Sequence, residues 1–171
     1  MTHQTKLTAD QFSATLFQLF VLDDETKVQE KDLGPYVINA YSQDLIFKKH
    51  IYFYLVALVA VALTSEFESR ENISGVIQKF RQLANNEALK RWNVFENEAD
   101  SAIETIGTSL GKLLFTDPKS NRVLDFEWGR DYLGQTMVDE TNPASLFIIS
   151  TFWKMRFISL MKVIESIEII P

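Results

Sequence analysis

The sequence predicts an all-α fold, a single helical bundle of about five to seven helices that spans residues 1–171. Apolar residues recur at three- and four-residue spacings in at least five segments, as on the buried face of a helix. The chain contains only six glycines and four prolines, and its 171 residues are the length of one domain. No linker or internal repeat divides it. We therefore expect one domain, with residues 1–7 as a frayed tail.

The first predicted helix begins at a capping-box pattern. Thr8 and Gln11 are spaced so that each side chain can accept a hydrogen bond from the other residue's backbone N–H. Apolar residues then follow on one helical face, which predicts a helix to about Leu22. Residues 23–32 are polar and lack any apolar periodicity, so we expect a solvated loop there.

Two strongly apolar segments are expected to form the core. Ile51–Leu63 contains 13 residues, which is shorter than the roughly 18 to 20 that span a bilayer. It is predicted to be a buried helix at the end of a helical stretch that starts at Pro35. Leu146–Ile164 is apolar on nearly all faces, which predicts a second central helix within a segment from Pro143 to about Ile167.

The clearest amphipathic pattern runs from Trp92 to Leu113 and includes Phe95. Its apolar positions step by three or four residues, which predicts one helix over residues 86–114, about 44 Å long at 1.5 Å per residue. This seam can pack within the fold or against a second copy, so a monomer and a homodimer are both left open. Another helix is predicted to begin after Asn72, with Ile73, Val76, Ile77, Phe80 and Ala84 on one face, and the Asn72 side chain is expected to cap it.

Residues 113–128 contain the segment whose secondary structure the pattern leaves open. Leu124, Phe126 and Trp128 alternate with acidic residues, as they would in a strand. Leu124, Trp128 and Tyr132 also fall at helical spacing. A short strand or β-hairpin and a helix are therefore equal alternatives for this segment.

The composition excludes several classes of site and partner. The chain has no cysteine, so disulfides, thiolate nucleophiles and zinc–cysteine centres are excluded. Its net charge of −6 disfavours nucleic acid and anionic lipid as partners. The N-terminal residues carry no signal-peptide pattern. We therefore expect a cytoplasmic protein whose partner is another protein with a basic or neutral surface, and neither nucleic acid nor a membrane.

Residues that commonly carry catalysis are scarce. Of the two histidines, His3 lies in the expected tail and His50 follows two lysines, which should disfavour its charged form. Gly129–Thr136 matches the glycine spacing of a phosphate-binding loop but lacks the lysine. Gly107 and Gly111 are expected to permit close helix packing. The sequence thus favours a protein without a set of catalytic residues, and it predicts no bound metal and no cofactor.

The first candidate site is an acidic stripe formed by Glu96, Asp100 and Glu104. Their four-residue spacing places the three carboxylates on one helix face, where like charges repel one another. A basic partner would relieve this repulsion, as would solvent or a neighbouring helix. The stripe motivates our first hypothesis, a non-catalytic interaction or regulatory module such as an adaptor, an inhibitor or an immunity-type protein.

The second candidate site is a group of acids around one aromatic ring, formed by Asp125, Glu127, Trp128 and Asp131. Paired carboxylates can hydrolyse glycosidic bonds or hold Mg²⁺. With 23 acidic residues in the chain, such groups also arise by chance. The group motivates the alternative hypothesis, a helical bundle that binds an apolar or aromatic small molecule between its helices, with carboxylate-based chemistry as an option.

Overall fold

The computed structural model describes residues 5–27, 44–66, 72–115, 129–132 and 143–171. Within these ranges the chain forms six helices and a two-stranded parallel sheet, which confirms the predicted mainly helical class. The helices are α1 (Ala9–Phe17), α2 (Asp23–Lys27), α3 (Asp44–Ser65), α4 (Ile73–Trp92), α5 (Glu96–Phe115) and α6 (Pro143–Ser166), and the strands are β1 (Thr5–Thr8) and β2 (Ile167–Ile170). Residues 129–132 form a further helical turn.

Helix α1 begins where the sequence predicts. Thr8 Oγ1 accepts a hydrogen bond from the Gln11 N–H at 3.3 Å, and Gln11 Oε1 accepts one from the Thr8 N–H at 3.1 Å. Both bonds of the predicted capping box are therefore present.

The chain stays helical beyond the predicted end of the first helix. A π-helical turn, Gln18–Leu22, joins α1 directly to α2. The loop expected from residue 23 is therefore wrong for residues 23–27. The first turn of α2 is acidic, and negative charge is favoured at a helix N-terminus, so a polar segment without apolar periodicity can still be helical. Residues 28–43, with the predicted helix start at Pro35, lie outside the described ranges.

Helix α3 is the centre of the bundle. Every residue from Ile51 to Ala60 is buried, and α3 contacts α2, α4, α5 and α6. The predicted buried helix is therefore confirmed, and it has the neighbours on several sides that a helix apolar on all faces needs. By length and composition alone, Lys48–Ser65 is the one stretch among the described residues that could cross a membrane, and 67% of it is buried inside the protein.

The single helix predicted over residues 86–114 is two helices, α4 and α5. Asn93 has a left-handed backbone conformation (φ 54°, ψ 35°), and its N–H bonds to the carbonyls of Ala88 and Leu89, which ends α4. Helix α5 then starts at Glu96. The three- and four-residue steps continue across this corner, so apolar spacing could not reveal it. On α5 the seam is buried within its own chain at Ala99, Ile106 and Leu110.

Asn72 precedes α4 at the predicted position but does not act as predicted. Its backbone is left-handed (φ 66°), and its side chain makes no capping hydrogen bond. The side-chain cap is therefore wrong. Asn72 instead supplies a backbone conformation that asparagine tolerates better than most residues.

Helix α6 ends at Ser166, close to the predicted Ile167. It contributes to the core as expected, but the described residues do not enclose it on all sides. One face packs into the core through Leu146, Ile149, Trp153, Leu160 and Ile164. Another face leaves three large apolar side chains exposed, Phe147, Met155 and Ile158.

A short parallel sheet joins distant parts of the chain. Strand β1 pairs with β2 along its whole length, from Thr5 opposite Ile167 to Thr8 opposite Ile170. The frayed tail is therefore wrong for residues 5–7. Three isoleucines in β2 favour extended structure because β-branched residues pack well in strands. The ion pair between Lys6 and Glu168, 3.2 Å apart, adds a cross-strand contact.

The structure describes only the first residues of the segment 113–128, whose secondary structure the sequence does not decide. Residues 113–115 belong to α5, and residues 116–128 lie outside the described ranges. The two strands that the structure describes lie elsewhere, at Thr5–Thr8 and Ile167–Ile170.

Candidate functional site

Two residues of the predicted acidic stripe are exposed to solvent, and the third contacts a neighbouring helix. Glu96 and Glu104 are exposed on α5. Asp100 is half-buried, and its Oδ1 accepts a hydrogen bond from Asn85 Nδ2 of α4 at 3.2 Å. Glu96 lies in the first turn of α5, where the unpaired N–H groups of the helix stabilise negative charge. The exposed part of the stripe is therefore Glu96 and Glu104.

An exposed aromatic side chain lies next to this stripe, at the corner between α4 and α5. Phe95 is 64% exposed, the highest value among the exposed large apolar residues of the described ranges, while Val94 is 2% exposed. The Val94 N–H bonds to the Ala88 carbonyl at 3.4 Å, and the Phe95 carbonyl accepts the Ala99 N–H at 2.9 Å. The corner backbone is thus held by both helices. Phe95, which belongs to the predicted apolar seam, faces solvent at this helix break.

The second predicted acid group is represented in the described ranges by Asp131 alone. Asp125, Glu127 and Trp128 lie outside them. Asp131 is on the helical turn 129–132 and accepts hydrogen bonds from Tyr54 Oη, at 3.0 Å, and from Ser109 Oγ. The carboxylate therefore links α3, α5 and this turn. Sequence reasoning missed Tyr54 and Ser109, because their separation from Asp131 in the chain leaves no local pattern.

Aromatic rings fill the space around the Asp131 carboxylate. Tyr54, Tyr132 and Trp153 are fully buried, and their ring centroids lie 4.5 to 5.0 Å apart. Burial raises the pKa of Tyr54 well above its usual value, and the charge of Asp131 raises it further. Tyr54 is therefore neutral at pH 7 and donates its hydroxyl to Asp131. The cluster is packed by the protein's own side chains.

His50 packs against this aromatic cluster. Its ring centroid lies 4.9 Å from that of Tyr132 and 6.1 Å from that of Tyr54. Burial lowers the pKa of His50 to about 4, and a hydrogen bond with the backbone of Tyr132 opposes this effect. Desolvation, and not the two preceding lysines, is therefore the main cause of the lowered pKa of His50.

Two open clefts flank the contact between α3 and α5. One, of about 540 Å³, lies beside His50. The other, of about 480 Å³, contains Gly107 and Gly111. A Cβ on Gly111 would meet no atom within 4 Å, and one on Gly107 would make an ordinary contact with Val61 at 3.5 Å. Among the described residues Gly111 therefore has no role in close helix packing, whereas Gly107 lies against α3 at a position where alanine would also fit.

The glycine that begins the phosphate-loop-like stretch has a packing role. A Cβ on Gly129 would lie 2.6 Å from the Leu146 carbonyl oxygen, so no larger residue fits without movement. The Gly129 N–H also donates to Ser150 Oγ at 2.7 Å. Gly129 thus allows turn 129–132 to approach α6 closely, and Gly134–Thr136 lie outside the described ranges.

No group of three or more His, Cys, Asp or Glu side chains among the described residues could hold a metal ion. Comparison of the chain with protein-family models, with curated proteins and with solved structures finds no match. The function of the protein is therefore inferred from its own surfaces.

Proposed function

We propose that this protein is a non-catalytic interaction module that docks a basic partner protein on the corner between α4 and α5. The observation that carries this proposal is Phe95, which is 64% exposed on a backbone held by two helix ends. Leaving a Phe side chain in water instead of burying it forgoes about 1.5–3 kcal/mol. A rigidly presented aromatic ring is a typical anchor of a protein–protein interface.

The charge around Phe95 supports a basic partner. Glu96 is adjacent in the chain, and Glu104 lies about 12 Å further along α5 at 1.5 Å per residue. Both are exposed. An apolar pocket on the partner would take the Phe95 ring while lysine or arginine side chains meet the two carboxylates. The net charge of −6 disfavours nucleic acid and anionic membranes at this surface.

An adaptor, an inhibitor and an immunity-type protein all act by binding a partner protein.

The alternative, a site for a small aromatic molecule at Asp131, receives less support. Its carboxylate is already bonded to Tyr54 and Ser109, and Tyr54 and Trp153 are in ring contact, 4.5 Å between centroids. A ligand would have to displace these contacts before it could bind.

Affinity capture from cell lysate at low and at moderate salt tests the proposal. Four forms are compared: the natural chain, Phe95→Ala, the double variant Glu96→Lys with Glu104→Lys, and Phe147→Ala. Phe147 is the matched control, because it is an equally large side chain, 49% exposed, on α6.

We expect one basic protein to be retained by the natural chain and by Phe147→Ala, and to be lost with the other two forms. Higher salt should weaken the retention, because screening reduces the attraction between exposed charges. Equal retention by all four forms, or loss with Phe147→Ala only, would show that the corner is not the docking surface.

A further inference from the structure

The cleft beside His50 combines an apolar floor with a charged rim, and the proposed docking surface does not include it. Phe53 and Ile106, which are 5% and 6% exposed, form part of its floor with Ala102. Lys49 of α3 and Glu98 of α5 line the same cleft. Its volume of about 540 Å³ falls within the range of roughly 300–1,000 Å³ that small-molecule pockets occupy.

The two rim charges form an ion pair at the edge of the cleft. Lys49 Nζ lies 3.7 Å from Glu98 Oε1, and the two side chains are 39% and 64% exposed. Exposed ion pairs usually contribute about 0–1 kcal/mol to stability, so either side chain can take a new partner at little cost. The floor beneath the pair is buried, so apolar side chains also contribute to the contact between α3 and α5.

We propose that this cleft binds a free α-amino acid with an apolar side chain. The ammonium nitrogen and carboxylate oxygens of such a molecule are roughly 3 Å apart, because one carbon separates the two groups. This spacing approaches the 3.7 Å between Lys49 Nζ and Glu98 Oε1. In an antiparallel arrangement the ligand carboxylate pairs with Lys49 and its ammonium with Glu98.

The remaining lining residues fit the same ligand. An apolar ligand side chain that lies over Phe53 and Ile106 is itself removed from water, which is favourable. The Thr105 hydroxyl donates to the Ser101 carbonyl at 2.8 Å, which leaves its oxygen lone pairs as acceptors for an ammonium group. Both charges of the ligand are required, because a ligand with one charge that separates the rim ion pair replaces the contact of only one of its members.

Isothermal titration calorimetry with L-phenylalanine tests this proposal on the full chain. N-acetyl-L-phenylalanine lacks the ammonium charge, and L-phenylalanine amide lacks the carboxylate. We expect saturable binding of L-phenylalanine and at least tenfold weaker binding of each analogue, a loss of about 1.4 kcal/mol or more. Absence of saturable binding with both L-phenylalanine and L-leucine would overturn the proposal, as would equal binding of the three phenylalanine compounds.

Variants at the rim assign the binding to this cleft. Lys49→Gln and Glu98→Gln should each weaken L-phenylalanine binding at least tenfold, with an unchanged melting temperature. Glu96→Gln removes an exposed acid of the same helix outside the cleft and should bind as the natural chain does. If both rim variants bind normally, the proposal is wrong. Phe95→Ala should also bind L-phenylalanine normally, so failure of the docking proposal and failure of this one are distinguishable.

Discussion

Polar side chains inside the bundle determine how the protein responds to acid. The pKa of His50 is about 4 in the folded protein because the imidazole packs against two tyrosine rings and is largely desolvated. The unfolded chain takes up the proton at a higher pH, near 6.5. The neutral histidine therefore stabilises the fold fully above pH 6.5, and this contribution is lost as the pH falls from 6.5 to 4. The full shift corresponds to on the order of 3 kcal/mol.

The His50→Phe variant tests this pH dependence. Phenylalanine keeps an aromatic ring in contact with Tyr54 and Tyr132 but cannot be protonated. The free energy of unfolding, measured with denaturant across this pH interval, should fall less steeply in the variant than in the natural chain. The control His3→Gln should keep the natural pH dependence. Identical curves for His50→Phe and the natural chain would show that His50 is not the group that titrates.

The hydrogen bond between Tyr54 and Asp131 joins α3 to turn 129–132 at 3.0 Å. Bonds to a charged group contribute about 1.5–3 kcal/mol. In a double-mutant cycle, Tyr54→Phe and Asp131→Asn should therefore show a coupling energy on the order of 1 kcal/mol or more. The matched pair Tyr52→Phe and Asp131→Asn should be additive, because Tyr52 donates to the Ala84 carbonyl instead. Additivity in both pairs would contradict the proposed link.

Helices and strands differ in how far the sequence reveals them. The capping box involves residues three apart, and the central part of α3, Ile51–Leu63, is recognisable from its uninterrupted apolar composition, so both are predictable from local pattern. The sheet pairs Lys6 with Glu168, 162 residues apart. Because each strand pairs with a distant one, no local sequence pattern predicts the pairing. For the same reason the sequence does not predict the hydroxyl groups that donate to Asp131, since Ser109 and Tyr54 lie 22 and 77 residues away.

The corner between α4 and α5 depends on Asn93 and its left-handed backbone. Asn93→Ala should destabilise the protein by about 1–2 kcal/mol, because a Cβ is unfavourable in this conformation. Asn93→Gly should be neutral or stabilising. Asn86→Ala, within α4, is the control and should not destabilise, because alanine is the better helix former. Thermal or denaturant unfolding measures all three, and equal stability of Asn93→Ala and Asn93→Gly would contradict the assigned conformation.

Across the described part of the molecule, aromatic residues lie both in the core and on the surface. Phe80 is fully buried, and its ring meets that of Phe17 at 6.0 Å, whereas Phe95 is 64% exposed. Phe80→Ala should therefore cost about 3–5 kcal/mol of stability. Phe95→Ala should change stability by less than about 0.5 kcal/mol. A large loss with Phe95→Ala in denaturant unfolding would place this ring in the core and remove the basis of the docking surface.

Site-specific cross-linking at position 95 tests the docking proposal most directly. A photoreactive phenylalanine analogue replaces Phe95 in one protein and Phe147 in another, and each is irradiated in cells. We predict a covalent adduct with one basic protein from position 95. That adduct should be absent from position 147 and should disappear when Glu96 and Glu104 are replaced by lysine. No adduct from position 95, or the same adduct from both positions, would contradict the proposal that this corner docks a partner.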